Sequence, residues 1–187
     1  MTDRGEAPDP RLDPVRALLA DVEGQAEGLY LADRELEIAE LARAQYSEVT
    51  LAARLHAAVG SALRVRLADE TVLEGVVEEA GEGWFTLLVR SGSRTTAWTV
   101  AVTGTVELAG LVDAAVPDPA RPAASRLSIR AALRPLAEER DRVVLRVAGG
   151  TRSGRLLRVG ADFVELEAEG RALVVPLAAI TAVGVER

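Results

Sequence analysis

The chain carries a single histidine, His56, and no cysteine. Thiol nucleophiles, disulfides, Cys-ligated zinc and iron–sulfur clusters are therefore excluded. His56 sits between Leu55 and Ala57 in a helical stretch, with no acid or hydroxyl at a spacing that would complete a triad or a metal site. It reads as an ordinary helix histidine. Glu78 and Glu79 are adjacent on an expected strand, so their carboxylates point to opposite faces and do not form an acid/base pair. Glu35, Glu37 and Glu40 belong to a polar helix stripe that water solvates. Gly81-Glu82-Gly83 and Gly149-Gly150 lack the helix start and the Lys/Ser/Thr that a phosphate loop needs, and read as hairpin turns. The expectation is a protein without catalytic, cofactor-binding or metal-ligating residues, and not an enzyme.

Two features point to contact chemistry instead. Arg152, Arg155 and Arg158 form a basic group that Arg146 and Arg142 extend across the neighbouring strand. It is either a nucleic-acid contact or a solvated sheet face balanced by Glu165 and Glu167. Trp98 is a candidate exposed contact residue. The contact candidates are thus Arg152, Arg155, Arg158, Arg146 and Trp98. Trp84 and Phe163 read as packing residues. Net charge is −7, and every basic side chain other than His56 is Arg. Residues 1–59 hold 6 Arg against 12 acids, residues 60–120 hold 4 against 9, and residues 121–187 hold 12 against 8. An acidic front and a basic back favour docking of one half on the other, within or between chains. Overall acidity opposes strong general affinity for phosphate backbones.

The elements that must position these residues come as a repeat. Gly75, Gly81, Trp84 and Leu87 recur as Gly154, Gly160, Phe163 and Leu166 at a constant spacing of 79; Ala68 and Thr71 recur as Ala148 and Thr151 at 80. Residues 1–12 are a polar tail. From 13 to 46 the pattern is helical, with Val15, Val22, Leu29 and Leu36 every seventh residue and Leu18, Ala32 and Ala39 beside them. Ser47 reads as a cap or kink before a second helix. A period of two then marks five short strands up to residue 111, with Leu63, Val65 and Leu67 inward in the first. Residues 112–125 are a Pro/Ala-rich linker. A helix follows over 127–139, expected to kink at Pro135, and then a second set of five strands to residue 187.

Helix plus five bent antiparallel strands, twice, resembles the Sm-like small β-barrel. The second copy is the more similar to the bacterial Sm-like RNA chaperone family. The resemblance lies in Val144 to Thr151 as the first hairpin, Gly154 as the second-strand glycine, Asp162 to Leu166 as the third strand and Val175 to Val183 as the closing turn and last strand. The tandem arrangement resembles that of an actinobacterial group. The resemblance implies an α+β fold: an N-terminal helix followed by two tandem Sm-like five-stranded small antiparallel β-barrels, each preceded by a short helix. It also implies self-association through barrel strand edges, around Thr96 to Val102 and Arg171 to Pro176. The Lys-His pair with which the chaperone contacts RNA is replaced by Pro176-Leu177 and Ala101-Val102, and the Arg-Gly motif of other relatives is absent, so no RNA-binding residue is carried over. The sequence therefore reads as a cytoplasmic assembly or protein-interaction module of unknown partner, with no membrane segment and no cofactor. RNA regulation through the basic face of the second copy is the alternative.

Overall fold

The structure, a computed structural model, describes residues 40–186 together with Asp21, Tyr30, Arg34, Glu37 and Ile38. The chain divides into two units, Met1–Glu48 and Val49–Arg187. In the first, the described residues up to Ser47 are helical and exposed, among them Tyr30, Ile38, Leu41 and Tyr46. The 1–12 tail and the stripe of Val15, Leu18, Val22, Leu29, Ala32, Leu36 and Ala39 lie outside the described residues.

The second unit opens with helix α1, Leu51–Ala57. Its cap is Thr50, not Ser47: Thr50 Oγ1 accepts from Ala53 N at 3.2 Å, as N-cap chemistry requires. Five strands follow: β1 Ala62–Leu67, β2 Val72–Gly81, β3 Trp84–Ser91, β4 Arg94–Ala101 and β5 Thr105–Ala109. Helix α2, Ile129–Glu138, runs as one ten-residue helix with Pro135 inside it. The second set is β6 Arg142–Val147, β7 Gly150–Val159, β8 Phe163–Ala168, β9 Arg171–Pro176 and β10 Ile180–Glu186. The 112–125 segment is tied to α1: Val116 N donates to Ala53 O and Arg54 Nη2 to Val112 O, both at 3.0 Å.

The expected pair of closed five-stranded barrels is not what forms. All ten strands join in one open antiparallel sheet, ordered β5-β1-β2-β3-β4-β10-β6-β7-β8-β9. The two sets share a strand order, and β4 of the first is hydrogen-bonded in register to β10 of the second, with Val100 opposite Ala182 and Thr99 opposite Val183. The physical reason is edge satisfaction. Unpaired N–H and C=O groups of an outer strand seek a partner strand, and the second copy, covalently attached, supplies one. The edge expected around Thr96 to Val102 is consequently occupied, and among the described strands β5 and β9 are the outer ones.

Successive side chains alternate across a sheet, and here the two cores lie on opposite faces of it. Leu63, Val65, Leu67, Phe85, Leu87, Trp98 and Val100 build the first. Leu133 of α2 with Val143, Leu145, Leu156, Val164 and Leu166 builds the second. β10 serves both: Ala182 is fully buried in the first and Val183 lies buried in the second. That explains why Ile180 to Val185 lacks charged positions, as expected of a strand covered on both faces.

Gly75 and Gly154 earn their equivalence by close approach. A Cβ on Gly75 would stand 2.2 Å from Leu88 O, and one on Gly154 2.2 Å from Glu167 O. The second repeated pair works similarly: the Trp84 indole lies against Gly81 and the Phe163 ring against Gly160.

Candidate functional site

The seam between β4 and β10 gathers the most specific polar chemistry in the second unit. Trp98 pairs with Gly184 across it, and a Cβ on Gly184 would come within 2.9 Å of the indole. The indole therefore lies flat on glycine backbone, and only 9% of Trp98 is exposed. Over its ring sits the Arg146 guanidinium, with Cζ 5.3 Å from the centroid. Arg146 belongs to β6, in the second repeat, but its Nη1 donates to Asp69 Oδ2 at 3.2 Å and to Thr71 Oγ1 at 2.6 Å. Both acceptors sit in the β1–β2 turn of the first repeat. Asp69 also accepts from Thr71 N at 3.1 Å, which fixes the turn locally. Its side chain is 9% exposed. Burial pushes the Asp69 carboxyl up, but the hydrogen bonds from Thr71 and the hydrogen bond and positive charge of Arg146 outweigh it and hold the group below the usual carboxylate range.

Two of the five contact candidates, Arg146 and Trp98, thus meet in this clasp. Of the other three, Arg155 and Arg158 share a face and Arg152 does not. Arg152 shares a sheet face with Gly154 and Leu156, whereas Arg155 occupies the opposite face, beside Arg142 on β6 and Glu167 on β8. Arg158 follows a bulge in β7 and faces Glu165, with Nε 3.5 Å from its carboxylate. The basic group is therefore split between faces and partly neutralised.

His56 is half-buried on α1; burial, then the charge of Arg121, lower its pKa, while Asp118 opposes them. A cleft of about 500 Å³ near α1 is lined by Thr50, Glu82, Asp118, Arg121, Ser125 and Arg126, charges of both signs. Arg121 is already engaged there by Asp118 and by Val116 O. Among the described residues no group of three or more His, Asp or Glu is arranged to hold a metal ion, and no helix is long and apolar enough to cross a membrane.

The outer strands form the second candidate surface. Leu177 N donates to Asp162 O at 2.8 Å, and antiparallel pairs alternate, so the N–H groups of Leu173 and Val175 turn to β8 while those of Ala172 and Val174 turn outward. At the other end Leu67 N donates to Thr71 O, so Arg64 and Arg66 bond to β5 and the Leu108 N–H turns outward. Both edges carry an exposed valine, Val174 at 65% and Val106 at 60%.

The strand registers fix which residues of the two copies correspond. Aligned on their registers, Trp98 corresponds to Leu173, Thr99 to Val174, Ala101 to Pro176, Glu107 to Ala182, Ala109 to Gly184 and Arg66 to Arg146. Asp69, Gly184 and Glu107 were missed because each breaks the repeat rather than obeying it. No family model and no curated protein matches the sequence, and nothing identifies an Sm-like family.

Proposed function

We propose that the protein is a non-enzymatic assembly module whose copies join through the outer strands of the sheet, β9 of one against β5 of the next. The observation that carries this reading is the contrast between two equivalent positions. Thr99, on the strand that has found its partner, is 8% exposed, whereas Val174, on the outer strand, is 65% exposed. A β5 strand laid along β9 in the register of the seam sets Leu108 opposite Val174 and gives the outward N–H of Val174 an acceptor, as Val183 of β10 does for Thr99 of β4. The chain's own seam is the template for the joint, and a second copy is the partner whose edge has the matching strand order.

Val174→Pro tests this directly. Its N–H faces away from β8, so proline removes an edge donor without removing a ladder bond. Sedimentation velocity over a concentration series is expected to show reversible self-association of the native chain and loss of it in Val174→Pro, with unchanged circular dichroism. A native chain that sediments as a monomer at every concentration refutes the reading.

RNA contact is the second reading. It is favoured by one observation, that Arg142 and Arg155 stand directly opposite one another on neighbouring strands. Like charges so placed repel; Glu167, opposite Arg155 on β8, relieves part of this, and a phosphate would relieve the rest. A salt-dependent mobility shift with short RNA that disappears in the Arg142→Ala/Arg155→Ala variant would support it; no shift at low salt removes it.

A further inference from the structure

Resting on the assembly reading, we infer that Glu107 sets how tightly the β5 edge accepts a second copy, and holds that joint far weaker than the seam within the chain. Glu107 stands in β5 where Ala182 stands in β10, since Arg66 pairs with the one and Arg146 with the other. In the internal seam Ala182 faces Val100 and is fully buried in the first core. In an equivalent joint between copies, Glu107 faces Val175, the counterpart of Val100. A carboxylate then enters the place of a methyl group, and taking it out of water together with its Arg66 partner carries a desolvation cost that an alanine does not.

Glu107 also captures the arginine that would cross the joint. Arg146 is free to reach the Asp69–Thr71 turn because its neighbour in β10 is alanine. Arg66, its counterpart, is instead bound by Glu107 on its own sheet, with Glu70 at 3.8 Å on the other side. The turn Arg66 would reach carries Gly149 in place of an aspartate, and Leu173 replaces the tryptophan. Pro176, where β4 has Ala101, removes one further edge donor. Each departure weakens the outer joint relative to the inner one. Glu107 is the departure that combines charge, position and a competing partner.

The decisive experiment compares full-length native protein, Glu107→Ala, Glu107→Gln and Glu107→Ala/Val174→Pro by sedimentation velocity across a concentration series. The Glu107 side chain is 57% exposed, so both single variants are expected to fold, with circular dichroism as the check. Glu107→Ala should tighten self-association by about tenfold or more, Glu107→Gln by less, and adding Val174→Pro should return the protein to monomer. A monomeric native chain with an associating Glu107→Ala that Val174→Pro dissociates upholds the guard and refutes spontaneous assembly. An associating native chain whose affinity is unchanged in both Glu107 variants overturns the guard and leaves the assembly reading standing. Monomers throughout, or tightening that survives Val174→Pro, overturn the inference.

Discussion

Replacing Arg146 with alanine removes three interactions at once. The guanidinium donates to Asp69 Oδ2 at 3.2 Å and to Thr71 Oγ1 at 2.6 Å, and it covers the Trp98 ring at 5.3 Å. A hydrogen bond to a charged group contributes about 1.5–3 kcal/mol when buried. Arg146 retains 24% side-chain exposure, so the lower half of that range applies. The cation–π contact adds about 0.5–1 kcal/mol. Against these stands the Arg146 Nε, buried without a hydrogen-bond partner, whose removal relieves part of the cost. The balance is a loss of about 2 kcal/mol. Urea unfolding at pH 7, followed by tryptophan fluorescence, measures it. Arg146→Met, which keeps the stem over Trp98, separates packing from charge and should lose about half as much. A double-mutant cycle with Asp69→Asn should give a coupling of about 1 kcal/mol. A loss under about 0.5 kcal/mol for Arg146→Ala would refute the idea that the clasp holds the two repeats together.

The clasp also has a pH signature. The folded-state pKa of Asp69 lies below its unfolded value, so its stabilising contribution is fully present above the unfolded value of about 3.9 and is lost as pH falls through the folded one. The stability gap between native protein and Asp69→Asn should therefore be constant from neutral pH down to about 5 and shrink below about 4; a gap that widens on acidification contradicts the assignment.

Gly75→Ala and Gly154→Ala should each destabilise by at least about 1–3 kcal/mol in chemical denaturation, because the new Cβ meets backbone oxygen at 2.2 Å and backbone cannot swing aside. Gly184→Ala should cost about 1–2 kcal/mol and shift Trp98 fluorescence, since the indole itself must move. Trp84→Phe should lose about 1 kcal/mol by deleting the indole N–H that donates to Leu127 O at 2.8 Å.

The strands were legible in the sequence because their alternation is local: Leu63, Val65 and Leu67 can face one core only if they form a strand. The repeat was legible for a similar reason, since Gly75 and Gly154 answer the same steric demand. How the two sets join was not legible from periodicity. Two closed barrels and one continuous sheet share a pattern within each set and differ in what β4 pairs with. The signal for the seam lay elsewhere, in Ile180 to Val185. That run has small or apolar residues at both parities, and a strand with one wet face would not. Trp98 has no aromatic counterpart in the second copy, and that gap marks the seam: glycine lies opposite Trp98, whereas the residue equivalent to Gly184 is Ala109. Arg152, Arg155 and Arg158 are close in sequence, but the period of two sets Arg152 and Arg155 on opposite faces, and it is the bulge that brings Arg158 to the face of Arg155.

Copies that begin alike diverge where their surroundings differ, and the pattern of divergence records which surfaces are permanently paired. Inside each half the two copies keep Gly75 as Gly154, Gly81 as Gly160 and Leu87 as Leu166. At the seam they part company: Trp98, Asp69, Gly184 and Ala182 gather where a joint is made, while Leu173, Gly149, Ala109 and Glu107 stand at the corresponding open ends. A chain under no constraint at its outer strands would have no reason to place a carboxylate opposite Arg66 and a proline at the end of β9. Both residues are common devices for keeping sheet edges apart. Exposed Val174 and Val106 pull the other way, since an edge meant only to repel needs no apolar side chain. An edge carrying both is suited to pairing that is weak and reversible, which is the behaviour the sedimentation series is designed to detect.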